Sequence, residues 1–75
     1  MIIRVEILDK KTGKTIIVER QGGNRVATLF SFMQAARKYA NKDHKVIRLL
    51  TDDTTTLTEF SARYPAMSVE FLSKE

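Results

Sequence analysis

The chain has 75 residues and a mass of 8.6 kDa, which is enough for one domain with a thin hydrophobic core and no large enclosed pocket. Its 43% hydrophobic and 29% charged residues are typical of a folded soluble protein, and no apolar run approaches the ~18 residues of a membrane span. The absence of cysteine excludes disulfides and thiolate metal sites. The net charge of +4 is compatible with an anionic partner without requiring one.

The first twenty residues predict a β-hairpin. Apolar side chains alternate along residues 1–8, and a period of two with β-branched residues is typical of a half-buried strand. Residues 9–14 predict a turn in which Gly13 takes a positive φ, and residues 15–20 resume the strand pattern. The inward positions are Met1, Ile3, Val5 and Ile7 in the first strand and Ile16 and Val18 in the second, where Ile17 points outward.

A helix is predicted after the internal Gly22-Gly23 pair. Asn24 is a suitable N-cap because its side-chain oxygen can accept a hydrogen bond from the first turn, and the helical pattern continues to about Asn41. The residues predicted to face the core are Val26, Leu29, Phe30, Met33, Ala36 and Ala40, and Phe32 and Tyr39 widen the apolar arc to about half of the circumference.

Two more strands are predicted, at residues 45–51 and 66–73. The inward positions are Ile47 and Leu49 in the third strand and Met67, Val69 and Phe71 in the last, whereas Val46, Arg48, Leu50, Ser68, Glu70 and Leu72 point outward.

The segment between these strands predicts a short helix. Thr56 and Glu59 fit the capping box, in which each side chain accepts from the other residue's backbone N–H, and Pro65 ends the helix. The β-branched threonines also allow a strand over residues 54–60, so both interpretations stay open at this point.

The predicted element order is β-β-α-β-(short α)-β over residues 1–75, which indicates a single α+β domain with a mixed sheet packed on one long helix. We expect the last strand to lie beside the first. This arrangement resembles the β-grasp fold of the ubiquitin-like family. The resemblance is carried by the inward first strand at Met1, Ile3 and Val5, the turn and strand Thr12-Gly13-Lys14-Thr15-Ile16, the segment Thr56-Leu57-Thr58-Glu59-Phe60, and Met67 and Val69.

Two departures limit what this resemblance implies. Ubiquitin-like modifiers end in a flexible Gly-Gly whose carboxylate is activated, whereas this chain ends in Phe71-Leu72-Ser73-Lys74-Glu75. Arg48 and Glu70 occupy two positions of the family's exposed apolar patch. Neither conjugation chemistry nor binding by ubiquitin receptors is therefore expected.

No group of residues predicts catalysis, a metal or a cofactor. Thr12-Gly13-Lys14-Thr15 lacks the upstream glycine and the following helix of a phosphate-binding loop. His44 is the only histidine and is expected at a helix end or in solvent. The adjacent Asp52 and Asp53 are expected in a solvated turn. We therefore expect a non-enzymatic protein, without catalytic, metal-binding or cofactor-binding residues, and a cytoplasmic location.

The predicted outer face of the sheet is more apolar than is usual for a bare sheet face, and charged residues lie among its apolar ones. Such a mixture resembles the composition of protein interfaces, so we expect this face to bind a partner protein or a second copy. A small phage or mobile-element inhibitor or adaptor would suit this description. The predicted partner-binding residues are Ile2, Arg4, Ile17, Val46, Arg48, Leu50, Glu70 and Leu72.

A nucleic-acid-binding accessory protein is the alternative function. Basic residues cluster at the predicted hairpin tip and at the end of the long helix, which is a pattern that can contact phosphates. The residues of this alternative site are Lys10, Lys11, Lys14, Arg37, Lys38, Lys42 and Lys45. Most of the aromatic residues are needed for the core, which leaves few for stacking on bases.

Overall fold

The predicted N-terminal hairpin is confirmed in the computed structural model, which describes residues 1–72. Strand β1 spans Ile2–Asp9 and pairs antiparallel with strand β2, which spans Thr15–Gln21. The side chain of Asp9 accepts from the Lys11 backbone N–H at 2.9 Å, and Gly13 takes a φ of 74°. This left-handed conformation costs glycine little and closes the turn without strain.

Helix α1 spans Arg25–Arg37, so it ends four residues before the predicted Asn41. Its N-cap is confirmed, because the Asn24 side chain accepts from the Ala27 backbone N–H at 3.0 Å. The predicted inward face is wrong in part: Val26, Phe30 and Met33 are 73%, 64% and 41% exposed. Phe32, which was expected only to widen the apolar arc, is 3% exposed and lies in the core.

The rotation of α1 is decided by the loop that enters it. Thr28 is buried, and its hydroxyl donates to the Asn24 carbonyl at 2.7 Å. The backbone of Gly22 approaches Thr28 so closely that a Cβ at this glycine would lie 2.6 Å from the Thr28 hydroxyl oxygen. Thr28 and Phe32 are four residues apart and therefore share one face of the helix. An apolar arc covering half of a helix leaves the rotation open, and this contact selects it.

Strand β3 spans His44–Thr51 and contains a β-bulge that the alternation did not predict. Glu6 pairs with Arg48, but the next residue of β1, Ile7, pairs with Val46, so Ile47 is the extra residue. Val46 therefore lies on the inner face with Ile7, and its predicted outward position is wrong. Ile47, predicted to be inward, is 43% exposed.

The sheet has the order β2-β1-β3-β4, so the predicted position of the last strand beside the first is wrong. Strand β3 takes that place, antiparallel to β1, and β4, Ser68–Phe71, pairs parallel with β3 at the sheet edge. β1 and β3 are both eight residues long and share a long hydrogen-bonded ladder, whereas the four residues of β4 form a short one. Over residues 1–72 the architecture is α+β, with a mixed four-stranded sheet and two helices.

The predicted short helix is confirmed, and the alternative strand is not formed. Helix α2 spans Thr54–Arg63 and begins at Asp53, whose side chain accepts from the Thr56 backbone N–H at 3.1 Å. The predicted capping box is wrong because Thr56 lies inside the helix, fully buried, and Glu59 pairs with Arg25 instead. Asp53 is the better cap because a carboxylate compensates the positive end of the helix dipole.

Both helices cover the same face of the sheet, and the core lies between the two layers. Its buried residues are Ile3, Val5, Ile7, Val18, Phe32, Leu49 and Phe60. Met67 and Val69 pack against this core as predicted, whereas Phe71 is 55% exposed. The predicted end of the last strand at Ser73 lies outside the described residues.

Candidate functional site

The N-terminal ends of α1 and α2 are held together by Arg25. Its Nε lies 2.9 Å from Asp53 Oδ2, and its Nη2 lies 2.8 Å from Glu59 Oε2. The Thr56 hydroxyl donates to Asp53, and this hydrogen bond, together with the one from Arg25, holds the pKa of Asp53 below its ordinary value. The two carboxylates in turn raise the pKa of Arg25. The helices are therefore connected by charge-assisted hydrogen bonds at this end.

The C-terminal halves of the helices are separated by an open apolar groove of about 690 Å³. Its floor is the inner face of the sheet, at Val5, Ile7 and Leu49. The walls are formed by Met33, Ala36, Arg37 and Ala40 on the α1 side and by Phe60, Arg63, Tyr64 and Pro65 on the α2 side. We call this surface the interhelical groove. The length of the chain predicts no large enclosed pocket, and this groove is not enclosed but open to solvent, so the sequence patterns did not predict it.

Small side chains keep the interhelical groove open. Ala36, Ala40 and Ala66 all line it, and none of them has atoms beyond Cβ with which to fill the space. Two larger residues of the walls remain partly exposed: Met33 is 41% exposed and Tyr64 is 40% exposed, whereas Phe60 is buried. A contiguous apolar surface that stays in contact with water is a candidate binding site.

The two charged side chains in the groove walls are arginines at the ends of the helices. Arg37 is the last residue of α1, and Arg63 is the last residue of α2. Among residues 1–72, neither forms an ion pair. Cations at these positions compensate the negative ends of the helix dipoles, and their guanidinium groups are also available to a ligand.

The outer face of the sheet brings most of the predicted partner-binding residues together. Ile2, Arg4, Ile17, Arg48, Leu50, Glu70 and Leu72 share this face, whereas Val46 lies on the other side of the sheet. Leu50 is only 8% exposed although both helices pack on the opposite face, and Ile2 and Leu72 are half-buried. Most of the predicted apolar surface is therefore covered by neighbouring side chains, although Ile17 remains 59% exposed.

Ion pairs run across this outer face. Arg4 Nε lies 2.7 Å from Glu19 Oε1, and Arg48 lies 3.0 Å from Glu6 and 3.5 Å from Glu70. Hydrogen bonding to Glu6, with a smaller contribution from Glu70, raises the pKa of Arg48. Arg4 of β1 thus pairs with Glu19 of β2, and Arg48 of β3 bridges Glu6 of β1 and Glu70 of β4, because β3 lies between β1 and β4. The arginines of this face already have carboxylate partners.

The two lysine clusters of the alternative nucleic-acid site are adjacent in the structure. The Lys10 backbone N–H donates to the Asp43 carbonyl at 2.9 Å, and Lys11 Nζ lies 3.5 Å from Asp43 Oδ2. The hairpin tip and the loop before β3 thus form one basic end of the molecule, which carries Lys10, Lys11, Lys14, Lys38, Lys42 and Lys45. Arg37 lines the interhelical groove instead.

The adjacent aspartates are anchors of the fold rather than a solvated turn. Asp52 Oδ1 accepts from the Ile2 backbone N–H at 2.8 Å, which ties the end of β3 to the start of β1. Asp53 caps α2 and binds Arg25. The prediction of a solvated turn is therefore wrong for both residues.

The two remaining candidate motifs, His44 and the segment from Thr12 to Thr15, make local contacts within the fold. His44 Nδ1 lies 2.7 Å from Asn41 Oδ1, and its ring packs edge-on against Tyr39 with 5.2 Å between the centroids. The segment from Thr12 to Thr15 belongs to the hairpin turn and the first residue of β2. Within the described part of the chain, no three His, Asp or Glu side chains come close enough to hold a metal ion.

The groove arises from the tertiary arrangement, and only a weak sequence signal points to it. Residues 36 and 40 are alanines one helical turn apart, and Pro65 and Ala66 follow the predicted short helix. Small residues on an apolar helix face indicate either close packing or an unfilled space, and the sequence alone does not distinguish the two. The missing information is the position of α2 relative to α1.

Comparison of the chain with protein-family profiles, with curated proteins and with solved structures finds no significant match. Within residues 1–72, neither helix has the length and apolar character needed to cross a membrane.

Proposed function

We propose that this chain is a non-catalytic protein-interaction module that binds a partner protein in the interhelical groove. The observation that carries the proposal is the composition of the groove. Aromatic residues, Met and Arg are enriched at the centres of protein interfaces, and each type is present twice or more in the lining. The residues of these types that are not already buried in the core are Tyr39, Tyr64, Met33, Met67, Arg37 and Arg63, whereas Phe32 and Phe60 are buried.

The residue types that are absent support the same function. Among the described residues that line the groove, none is Lys, Asp, Glu or Ser, which are four of the five types depleted at interface centres; the fifth, Ala, is present at Ala36, Ala40 and Ala66. Met33 and Met67 add adaptability, because an unbranched thioether side chain can adjust to the shape of a partner. The groove volume of about 690 Å³ is sufficient for several apolar side chains, and it lies within the ~300–1,000 Å³ typical of ligand sites.

The outer sheet face stays a predicted partner-binding surface. Its internal ion pairs and the burial of Leu50 leave less unpartnered surface than the groove has. A relationship to ubiquitin-like β-grasp domains also stays a proposal. The N-terminal hairpin packed against α1 supports it, and the position of β4 at the sheet edge counts against it.

Affinity capture with matched variants tests the groove. Met33→Glu places a charge in the groove wall, Phe30→Glu places the same charge on an exposed site of the same helix, and Ile17→Glu alters the outer face. Each tagged variant is incubated with nuclease-treated lysate of the source cells, and bound proteins are identified by mass spectrometry. We expect one specific partner to be retained by Phe30→Glu and Ile17→Glu and lost with Met33→Glu.

Two results would contradict this assignment. Loss of the partner with Ile17→Glu and its retention with Met33→Glu would move the interface to the outer sheet face. The same protein partners on all three variants would show that neither surface is specific. Circular dichroism of each variant establishes that loss of binding is not loss of folding.

Nucleic-acid binding is the second candidate function, and the convergence of the lysine clusters at the basic end favours it. Each phosphate contact on duplex DNA lowers the logarithm of the affinity by about 0.9 per tenfold increase in salt concentration. We expect binding weaker than ~10⁻⁵ M at physiological salt, because Asp9 and Asp43 lie among the lysines. Titration of duplex and single-stranded oligonucleotides at two salt concentrations measures this. Submicromolar binding that is lost with Lys10→Glu and Lys14→Glu would favour the nucleic-acid function.

A further inference from the structure

We infer that the interhelical groove receives an amphipathic helix with acidic side chains beside its apolar face, contributed by a second protein. This inference rests on the proposed function and adds the chemistry of the partner. The shape of the groove, the charge of its walls and the composition of α1 support it independently.

The groove has a shape that a helix can fill. Two helices provide its walls and the sheet its floor, and its α1 side runs from Met33 to Ala40. Helix α1 ends at Arg37, so at a rise of 1.5 Å per residue its part of this wall extends about 6 Å, or about one helical turn, and residues 39 and 40 continue the wall beyond the helix. Grooves of this kind bind an amphipathic helix through apolar residues spaced three or four positions apart. Large side chains of such a helix would pack on Met33 and Tyr64, which are 41% and 40% exposed, above the buried floor residues Val5, Ile7 and Leu49.

The charge of the groove walls selects acidic partners. Arg37 and Arg63 are both at the wall, and within residues 1–72 neither has a carboxylate partner. At other sites, Arg4, Arg25 and Arg48 each bind at least one carboxylate, and Arg20 donates to the Ser31 hydroxyl and the Glu19 carbonyl. Lys38 lies 5.3 Å from the ring centroid of Tyr39, which is also part of the lining, so the α1 side is basic beyond the groove as well.

Guanidinium groups beside an apolar surface favour carboxylate ligands. Arg binds carboxylates through two parallel hydrogen bonds, and these bonds strengthen when an apolar partner excludes water from the site. A basic helix would instead place its charges next to Arg37 and Arg63 without compensation. Repulsion of basic partners therefore adds to the attraction of acidic ones in selecting what binds.

A second copy of this chain fits the groove less well. Its most exposed apolar helix surface, at Val26 and Phe30, lies on α1, which contains no Asp or Glu. Helix α2 contributes Glu59, but this carboxylate is bound to Arg25. The structure thus offers no acidic amphipathic helix of its own among the described residues, and the complementary partner is a different protein.

Two designed peptides test the inference directly. Each peptide has about 14 residues and a fluorescent label, and its Leu residues are spaced three or four positions apart so that they share one helix face. One peptide carries Glu beside the Leu face, and the other carries Lys at the same positions. Fluorescence anisotropy measures their affinity for the full chain at low and high salt. We expect the Glu peptide to bind at least about tenfold more tightly at low salt, and this difference to shrink at high salt.

Charge-reversed protein variants supply the matched control. Arg37→Glu/Arg63→Glu should reverse the preference, so that the Lys peptide binds more tightly. Lys14→Glu/Arg20→Glu changes the net charge equally outside the groove lining and should leave the preference for the Glu peptide in place. Circular dichroism and size-exclusion chromatography with light scattering accompany each variant to establish its fold and oligomeric state.

Several outcomes would overturn the inference. These are equal or tighter binding of the Lys peptide to the unmodified chain, no binding of the Glu peptide up to about 1 mM, and an unchanged preference in the groove variant. A fluorescent fatty acid that binds at least tenfold more tightly than the Glu peptide would assign the groove to a small amphiphile, and a stable dimer lost with Met33→Glu would assign it to a second copy. If Met33→Glu abolishes partner capture while the Glu peptide is not preferred, the protein-binding function stands and the acidic-helix inference fails.

Discussion

The two sides of the sheet both carry apolar and charged side chains, but they differ in how far the apolar side chains are covered and the charged ones are paired. On the outer face, Arg4 pairs with Glu19, Arg48 bridges Glu6 and Glu70, and Leu50 is 8% exposed among them. On the inner face, the sheet residues Val5, Ile7 and Leu49 are buried, but Met33 and Tyr64 of the helix layer remain 41% and 40% exposed in the interhelical groove. The presence of a helix layer therefore does not by itself determine whether an apolar side chain is covered.

The difference shows which property of a surface indicates binding. Exposed sheet residues can cover one another because cross-strand neighbours are only about 5 Å apart. The walls of the groove are joined by Arg25 at one end of the helices but not at the other, so the side chains facing each other across the opening do not meet. Unpartnered arginines and half-covered apolar groups on one surface distinguish the groove from the outer face.

The largest expected effect separates the buried and exposed positions of α1. Phe32→Ala removes a ring that is 3% exposed and should lower the free energy of unfolding by about 3–5 kcal/mol. Phe30→Ala removes a ring that is 64% exposed and should change it by less than about 0.5 kcal/mol. Urea denaturation followed by circular dichroism measures both. Similar losses for the two variants would contradict the observed rotation of α1.

Charge reversal on the outer face should have the next largest effect. Arg48→Glu places a third carboxylate beside Glu6 and Glu70, and like charges on neighbouring strands destabilise a sheet. We expect a lower melting temperature at low salt that recovers in part near 0.5 M NaCl, because salt screens exposed charges. Lys45→Glu is the control, since this exposed side chain of the same strand forms no ion pair among residues 1–72. An equal loss in both variants would show that the outer ion pairs do not contribute specifically.

The contact that joins the helix N-terminal ends should contribute a smaller amount. Asp53→Ala removes the N-cap of α2 together with the partner of Arg25, and should cost about 0.5–2 kcal/mol. Asp53→Asn keeps a capping oxygen and should cost less. Because the folded chain holds the pKa of Asp53 below its ordinary value, the stabilisation by this carboxylate is present above the unfolded-state pKa of about 3.9.

This stabilisation is lost as the pH falls from about 3.9 through the still lower pKa of the folded state. The difference in unfolding free energy between the unmodified chain and Asp53→Asn should therefore be largest near neutral pH and disappear in strong acid. Urea titrations at several pH values measure it. A difference that grows as the pH falls would have the wrong sign for a lowered pKa.

The smallest effect on stability is expected inside the groove. Ala40→Leu extends a side chain into open space, so the free energy of unfolding should change by no more than about 0.5 kcal/mol. The same change should weaken binding of the acidic peptide, because it occupies part of the groove. A stable variant with unaltered peptide binding would show that the peptide contacts another surface.

The local sequence determined the elements more completely than their arrangement. The Asp9 and Gly13 turn, the Asn24 cap and the alternation of Ile16, Ile17 and Val18 are formed as the patterns predict. Each of these features depends on residues within a few positions of one another. These features therefore form with little influence from the rest of the chain.

Tertiary contacts decided the features that the patterns missed. The bulge at Ile47 moves Val46 to the inner face, and the packing of Thr28 rotates Phe30 out of the core. β1 and β3 have equal lengths, whereas β4 is short. Pairing of β1 with β3 is therefore favoured over pairing of β1 with β4, and this preference is consistent with the observed strand order. Alternation and helical periodicity state that a segment has two faces. Which face meets the core, and which gap between elements stays open, depends on contacts between residues far apart in sequence.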